Sequence, residues 1–138
     1  MKPITILIAD DHPLIRKAWG FIINQDSRFK VVAESGSGEA AVELTSQLRP
    51  DVVILEIGPN GISGIEATQL IRKYSPGSKI IGLSFHVSAF YIQKMMQCGA
   101  MGYLTINTPM EEITKAIIDV QNGGTYICHE VKNILTGS

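Results

Sequence analysis

Short apolar segments recur along the chain, each bounded by polar or turn-forming residues. Most are rich in β-branched residues and do not alternate between apolar and polar positions, which is typical of strands buried on both faces of a parallel sheet. The segments are ITILIA (residues 4–9), KVVAES (30–35), DVVILEI (51–57), KIIGLS (79–84) and GYLT (102–105). We therefore predict five strands in one parallel sheet.

Segments with helix start and stop signals lie between and after these strands. The first of them begins at Pro13, and the next three cover residues 39–48, 64–74 and 87–98. A fifth helix follows the last strand: Thr108, Pro109 and Glu111 fit its N-cap, N1 and N3 positions, and NGG at 122–124 ends it. This alternation predicts an α/β fold with an open, doubly wound sheet, in which ligands bind beyond the carboxyl ends of the strands. The segment after residue 124 fits a strand stub and a short final helix.

Composition limits the classes of function. The 138 residues are 45% hydrophobic and 18% charged, which suits one compact domain. The net charge of −1 gives no basic field for nucleic acid. No apolar stretch is long enough to span a membrane, and the N-terminus does not resemble a signal peptide, so we expect a cytoplasmic protein. Cys98 and Cys128 show no metal or redox spacing and are expected to be free thiols.

Polar side chains cluster at the predicted carboxyl ends of the strands. The set comprises Asp10 and Asp11 after the first strand, Glu56 at the third, Ser84 at the fourth, and Tyr103 and Thr105 at the fifth, which the apolar Ile106 follows. Three neighbouring carboxylates repel one another unless a hard divalent cation holds them together. The sequence therefore favours a Mg²⁺-type site. The alternative is that Asp10 or Asp11 only caps the first helix. His12 follows the two acids and either shapes their loop or is itself a metal ligand.

Several ordered motifs carry a resemblance to a known family. ILIADDHPLIRKAW, PDVVIL, SGIEAT, IIGLS, GAMGYLT and TPMEEITKAIIDVQNGGTYI resemble the receiver domain of bacterial two-component response regulators, in the NarL/FixJ-like subfamily with a LuxR-type helix-turn-helix output. The resemblance covers residues 4–130 and implies a flavodoxin-like (βα)5 sheet with strand order 2-1-3-4-5. It implies a receiver over residues 1–125, with residues 126–138 as a C-terminal extension or the start of a linker to a DNA-binding output domain.

The resemblance also assigns roles at the carboxyl edge of the sheet. In that family an aspartate at the end of the third strand accepts a phosphoryl group from a histidine kinase or a small phosphodonor. The metal ligands would be Asp10, Asp11, the acceptor carboxylate and the Gly58 carbonyl, and the switch residues would be Ser84 and Tyr103. Two positions depart from the family: the acceptor is Glu56, and the usual lysine is Ile106. The usual proline is also displaced, since Pro59 precedes Asn60.

These departures predict that the chain has the receiver fold but that its site accepts a phosphoryl group poorly. Glutamate moves the carboxylate outward by about 1 Å, which can cost roughly 10²-fold in a positioned reaction. Losing the lysine removes an electrostatic partner typically worth about 10²- to 10³-fold. Glu56 and Ile106 fit a natural receiver that signals without phosphorylation, a substitution that mimics the phosphorylated state, or a pocket reused for another ligand or for dimerisation. The first account would fail if a basic side chain from another position reached in beside Glu56 and so made good the loss of the lysine; none is expected there.

Partners follow from the same resemblance. Because of these departures, the sequence does not decide whether a histidine kinase is a partner. We expect no enzymatic activity and no catalytic residue. An enzyme or cofactor binder on this topology would need a phosphate-binding loop after the first strand, where two acids stand instead. Phe85, Phe90 and Tyr91 exceed what one helix face can bury, which favours a homodimer. In the family, dimers form through the fourth helix, fifth strand and fifth helix, or through the first and fifth helices. His86, near Ser84, is a further candidate at the rim.

Overall fold

Strands and helices alternate along the chain as the sequence predicts. The computed structural model describes residues 2–56, 61–85 and 88–137. The elements are β1 (Ile4–Asp10), α1 (Pro13–Asn24), β2 (Phe29–Ser35), α2 (Gly38–Leu48), β3 (Val52–Glu56), α3 (Gly64–Tyr74), β4 (Lys79–Ser84), α4 (Ala89–Gln97), β5 (Gly102–Thr105), α5 (Met110–Gln121), β6 (Tyr126–Ile127) and α6 (His129–Thr136). The fourth helix was predicted from residue 87, which lies outside the described residues.

The strands form one parallel sheet in the order β2-β1-β3-β4-β5-β6. The predicted order of the first five strands is confirmed, and the two-residue stub β6 adds a sixth strand that pairs with β5. The backbone N–H of Tyr126 donates to the Met101 carbonyl, and that of Cys128 donates to the Tyr103 carbonyl. The extension therefore covers the outer edge of β5, where unpaired backbone groups would otherwise face solvent.

The sheet carries the core because its central strands are buried on both faces. Every residue of β3 is buried, as are the last five of β1. Helices add apolar side chains to this layer, among them Ile23 of α1, Ile71 of α3 and Ile117 of α5, all at most 1% exposed. Each contributes about 1.5–3 kcal/mol through the area it removes from water. This rigid centre fixes the positions of the side chains that follow each strand.

The start of α5 differs from the prediction. Thr108 was predicted as the N-cap, but the helix begins at Met110, and Pro109 occupies the cap position without a side-chain cap. The Thr108 hydroxyl instead accepts a hydrogen bond from the backbone N–H of Thr105, at 3.0 Å. Thr108 thus closes the turn after β5, because its hydroxyl oxygen accepts a hydrogen bond from the N–H of the last strand residue and not from an N–H of α5.

The C-terminal segment packs on the sheet. Val131 of α6 is fully buried and Cys128 is 1% exposed. Both cysteines are free thiols, as predicted. The division after residue 125 into a receiver and an extension stays a prediction, although residues 126–136 share the core of the preceding ones. None of the helices in the described ranges is long and apolar enough to cross a membrane.

Candidate functional site

The centre of the candidate site is set by the register of two neighbouring strands. Asp10, the last residue of β1, lies directly opposite Glu56, the last residue of β3. The Asp10 side chain is 1% exposed and that of Glu56 is 10% exposed. Asp11 follows at once, with a side chain that is 30% exposed. The structure therefore brings together the three carboxylates that the sequence placed at this edge.

His12 reaches into the same cluster. Its Nδ1 lies 3.0 Å from Asp10 Oδ1, 3.0 Å from Asp11 Oδ1 and 3.6 Å from Glu56 Oε1. The prediction that no basic side chain lies beside Glu56 is therefore wrong. The physical reason is local: His12 is the N-cap of α1 with extended backbone, and its N–H donates to Asp10 Oδ1 at 2.8 Å, which turns the ring back over the acids.

The ring of His12 is also held from its other side. It packs edge-on against Phe85, the residue after β4, with 4.8 Å between ring centroids. Phe85 is 36% exposed, so the pair lies at the surface above the buried acids. His12 thus both shapes the loop after β1 and joins the cluster, whereas the sequence favoured the first role alone.

Burial and like charge shift the titration of the cluster. Desolvation, reinforced by the charge of Asp10, raises the pKa of Glu56 to about 7. Burial also raises the pKa of Asp10, although its hydrogen bonds with His12 oppose this. The hydrogen bond to Asp10 raises the pKa of His12. Glu56 therefore titrates near neutral pH, and Asp10 and His12 each hold a proton more readily than the free side chain does.

The cluster has the donors that a divalent cation needs. One ligand atom from each of Asp10, Asp11, His12 and Glu56 can be chosen so that all lie within 4.8 Å of one another. Asp10 Oδ2, Asp11 Oδ1 and Glu56 Oε1 are buried atoms without a hydrogen-bond partner among the described residues. Unpaired buried carboxylate oxygens are costly, and a cation would remove that penalty. The residues present therefore fit a metal ion. The Gly58 carbonyl, predicted as a further ligand, lies outside the described residues.

Ser84 and Tyr103 meet beside this cluster. Ser84 Oγ and the Tyr103 hydroxyl are hydrogen-bonded at 2.5 Å, and Tyr103 is 1% exposed. Burial raises the pKa of the Tyr103 phenol well above its usual range. Gly82 makes room for the ring, because a Cβ atom there would lie 2.5 Å from Tyr103 Cε2. The Tyr103 ring is thus held inside the protein, where it packs on Gly82 and its hydroxyl bonds to Ser84, both in β4.

Ile106 follows β5 at the same edge of the sheet. Its backbone N–H donates to the Ser84 carbonyl at 3.1 Å, and its half-buried side chain packs against the apolar core. No lysine or arginine among the described residues pairs with the side chains of Asp10, Asp11 or Glu56. His12 is therefore the one basic side chain, among the described residues, that pairs with these carboxylates. Pro59, Asn60 and His86 lie outside the described residues.

Two supporting residues were missed by sequence reasoning. Arg16 donates from Nη1 to the backbone carbonyl of Asp10 at 2.7 Å, while its Nε lies 3.4 Å from Glu34 Oε1. Glu39 accepts a hydrogen bond from the backbone N–H of Ile62 at 2.6 Å, which fixes the approach to α3. Arg16 lies one helical turn after His12, a spacing that could have suggested it. No local signal links Glu39 to Ile62.

Tyr91 is a third residue whose place only the structure shows. Its hydroxyl lies so close to Gly64, the first residue of α3, that a side chain there would collide with it. Burial and then the charge of Glu56 raise the pKa of this phenol. Tyr91 was predicted as a surplus surface aromatic, but it is half-buried and packs against the start of α3.

Comparison with known proteins agrees with this geometry. Residues 6–118 match the family model described as the response regulator receiver domain. The transcriptional regulatory protein DegU of Brevibacillus brevis is 37% identical over 133 residues, which cover 96% of this chain and 56% of DegU. The oxygen regulatory protein NreC of Staphylococcus epidermidis is 37% identical over 88% of this chain and 56% of its own length. The chain thus spans little more than half of these relatives.

A solved structure resembles the fold over almost its whole length. The LuxR-family two-component response regulator from Aurantimonas sp. SI85-9A1 superposes with a TM-score of 0.91 at 26% identity, covering 99% of this chain and 97% of that one. The coverage includes the C-terminal segment of this chain, so a strand stub and final helix after the fifth βα unit are compatible with that fold.

Proposed function

The chain belongs to the response regulator receiver domain family, and from this membership we propose that it is an atypical receiver in two-component signalling and transcription regulation. In this proposal it signals without efficient phosphorylation, because Glu56 replaces the acceptor aspartate and Ile106 replaces the lysine. The chain is a signalling module and not an enzyme. A DNA-binding output would come from a separate domain.

One observation carries the proposal: the Ile106 side chain packs into the apolar core where the family places a cation. A phosphoryl group arriving at Glu56 would meet three acids with no lysine to share its charge. Such a preorganised electrostatic partner is typically worth about 10²- to 10³-fold in rate. His12 lies beside Glu56 but does not take the place of the lysine, because it comes from the loop after β1 and its Nδ1 is nearer to Asp10 and Asp11, at 3.0 Å from each, than to Glu56, at 3.6 Å.

Glu56 is itself a weak nucleophile. Without a bound cation, its pKa of about 7 leaves a large fraction protonated at neutral pH, and a protonated carboxyl does not attack phosphorus, so a proton competes with Mg²⁺ for this carboxylate. The additional methylene displaces the carboxylate by about 1 Å from an aspartate position, a change that can cost roughly 10²-fold. These effects act on one step and need not multiply. Either alone supports slow phosphoryl transfer.

The metal half of the site is retained in this proposal. Receiver domains typically bind Mg²⁺ in an acidic pocket, and Asp10, Asp11 and Glu56 supply the oxygen atoms here. The Gly58 carbonyl is proposed as a fourth ligand. A bound cation would neutralise the carboxylates and so stabilise this edge of the sheet.

Ser84 and Tyr103, the proposed switch residues, keep one conformation in this proposal. Tyr103 is bonded to Ser84 and lies over Gly82, so packing holds the ring inward without any phosphoryl group. The surface that would report a signal comprises α4, β5 and α5. We propose that dimerisation or a bound ligand, in place of phosphorylation, sets its conformation.

A homodimer and a cytoplasmic location complete the proposal. Leu14 and Phe21 of α1 are 84% and 68% exposed, and Phe90 of α4 is 70% exposed. The family's dimer faces, α1–α5 and α4–β5–α5, are the two candidates, and these exposed side chains lie on α1 and α4. A histidine kinase is a partner of receivers in general and stays open for this chain. The net charge of −1 gives no support for nucleic-acid binding by this segment.

Phosphorylation by acetyl phosphate tests the proposal. The chain is incubated with acetyl phosphate and Mg²⁺ beside three variants: Glu56→Asp, Ile106→Lys, and the two combined. Intact-mass spectrometry should show no phosphoryl adduct on the unchanged chain and a clear adduct on the double variant. The single variants should stay below the double one, because each restores only one missing group. A stoichiometric adduct on the unchanged chain would overturn the proposal.

A further inference from the structure

We propose that His12 completes a mixed nitrogen–oxygen metal site with Asp10, Asp11 and Glu56, and that this site takes a first-row transition dication such as Co²⁺ or Zn²⁺ in preference to Mg²⁺. The inference rests on the proposed function, since it assigns a metal class to the receiver's acidic cluster. Asp10, Asp11, His12 and Glu56 together form the acid–imidazole cluster.

The position of the imidazole nitrogen is the first observation. His12 Nδ1, and not the remote ring nitrogen, faces the carboxylates, at 3.0 Å from both Asp10 Oδ1 and Asp11 Oδ1. Oxygen and nitrogen ligands of one metal ion lie about 3–4 Å apart when each is roughly 2.0–2.2 Å from the ion. The separations in the acid–imidazole cluster, at most 4.8 Å, therefore need only small adjustments to surround an ion.

The ring is held in this position before any ion binds. The backbone N–H of His12 donates to Asp10 Oδ1 at 2.8 Å, and the ring packs edge-on against Phe85. Arg16 fixes the same turn through the Asp10 carbonyl. A ligand whose orientation is fixed by its surroundings loses little freedom on binding, which favours affinity.

Unsatisfied buried oxygens provide a second, independent observation. Asp10 is fully buried, and its Oδ2 has no hydrogen-bond partner among the described residues. Glu56 Oε1 is likewise buried and without one. His12 cannot satisfy all of these atoms, since a single Nδ1 faces three carboxylates. A dication can contact several of them together, and this need is separate from the presence of the imidazole.

The donor set decides the class of ion. Mg²⁺ is a hard cation that favours all-oxygen ligands and retains several water molecules. Imidazole nitrogen suits Zn²⁺, Cu²⁺, Fe²⁺ and Ni²⁺, and affinity for such sites rises from Mn²⁺ through Co²⁺ to Cu²⁺ before it falls at Zn²⁺. Neutral imidazole and three carboxylates would leave one negative charge around a dication. That charge disfavours a second anion, which agrees with a site that holds metal but accepts phosphoryl groups poorly.

The test compares two ions in two histidine variants of the whole chain, stripped of metal. Co²⁺ and Mg²⁺ affinities are measured by calorimetry for the unchanged chain, for His12→Asn, and for the control His129→Asn, which alters an exposed histidine in α6. We expect the ratio of Co²⁺ to Mg²⁺ affinity to fall by about tenfold or more in His12→Asn, since one nitrogen ligand is lost. The control should keep the ratio of the unchanged chain.

A spectroscopic measurement keeps the proposal testable if His12→Asn folds poorly. Mn²⁺ is added to chain labelled with ¹⁵N-histidine and to unlabelled chain, and nitrogen modulation of its electron spin echo is recorded. Labelling should change the modulation in the unchanged chain and in His129→Asn. No nitrogen coupling in the unchanged chain would overturn the proposal.

The remaining outcomes separate this inference from the proposed function. If Mg²⁺ and Co²⁺ lose affinity equally in His12→Asn, or if Mg²⁺ binds more tightly while Co²⁺ is unchanged, His12 is a structural or competing group and the inference fails. The acetyl phosphate experiment is unaffected by either result. Conversely, a phosphoryl adduct on the unchanged chain overturns the proposed function. The nitrogen coupling would still show, independently of that result, whether His12 is a metal ligand.

Discussion

Thr105 and Glu130 join the last residue of β5 to the first turn of α6. The Thr105 hydroxyl donates to Glu130 Oε1 at 2.6 Å, and Thr105 is 2% exposed. Thr105 lies between Tyr103, the proposed switch residue, and Ile106, which follows β5. The C-terminal segment is therefore attached directly to the end of β5.

Breaking this contact should loosen the extension. In Glu130→Ala we expect a loss of about 1.5–3 kcal/mol in the free energy of unfolding, because a buried hydroxyl loses a charged acceptor. Urea denaturation measures it. Glu111→Ala is the matched control, since Glu111 also lies in the first turn of a helix, that of α5. The control should lose only a few tenths of a kcal/mol from the helix dipole. Equal losses in the two variants would show that Thr105 does not depend on Glu130.

Gly82 should be required for the inward position of Tyr103. Gly82→Ala places a methyl group against the Tyr103 ring, and overpacking of this kind typically costs about 1–3 kcal/mol. We expect a lower free energy of unfolding and an altered chemical shift for the Tyr103 ring by NMR. Gly77→Ala is the control, because nothing lies within 4 Å of a Cβ built at Gly77. An unchanged Tyr103 resonance in Gly82→Ala would contradict this packing of the ring on β4.

The metal-free chain should lose stability as pH rises toward neutral. The pKa of Glu56 is raised from 4.5 to about 7, so the folded state favours the protonated form. This contribution is complete below pH 4.5 and is lost as pH rises through about 7. The raised pKa values of Asp10 and His12 act in the same direction. We expect a loss on the order of 3 kcal/mol from Glu56, since one pKa unit corresponds to about 1.4 kcal/mol.

Unfolding measured between pH 5 and 8 in a chelator tests this dependence. Glu56→Gln removes the titrating group and should give a smaller slope, while Glu66→Gln, an exposed acid in α3, should keep the slope of the unchanged chain. Stability that rises across this interval in the absence of metal would contradict the prediction. Added metal ion should restore stability most at the upper end, where the carboxylates are ionised.

The dimer face can be identified with single aspartates. Phe21→Asp changes α1, Phe90→Asp changes α4, and Tyr74→Asp changes an aromatic of α3 that is 49% exposed and belongs to neither candidate face. Sedimentation at high micromolar concentration should show dimers for the unchanged chain and for Tyr74→Asp. We expect one of the other two variants to be monomeric, because a charge is costly in an apolar interface. Monomers of the unchanged chain would count against a homodimer.

Local signals in the sequence sufficed for the elements and for part of the site. Runs such as VVIL mark buried strands because β-branched residues pack on both faces of a parallel sheet. The three carboxylates could be predicted to meet because the carboxyl ends of parallel strands share one edge. The start of α5 was misplaced, since Thr108 satisfies both the helix-cap pattern and the turn after β5. Which partner a hydroxyl takes depends on distances that the pattern does not contain.

The sequence by itself determined the α/β architecture, the family, the acids at the sheet edge and the two departures at Glu56 and Ile106. Only the tertiary structure decided that His12 turns back onto the acids, that Gly82 seats the Tyr103 ring, and that Glu130 holds Thr105 from 25 residues away. The physical reason is that strand and helix formation depend on periodicity within a few residues, whereas these contacts depend on backbone dihedral angles and on packing between distant segments.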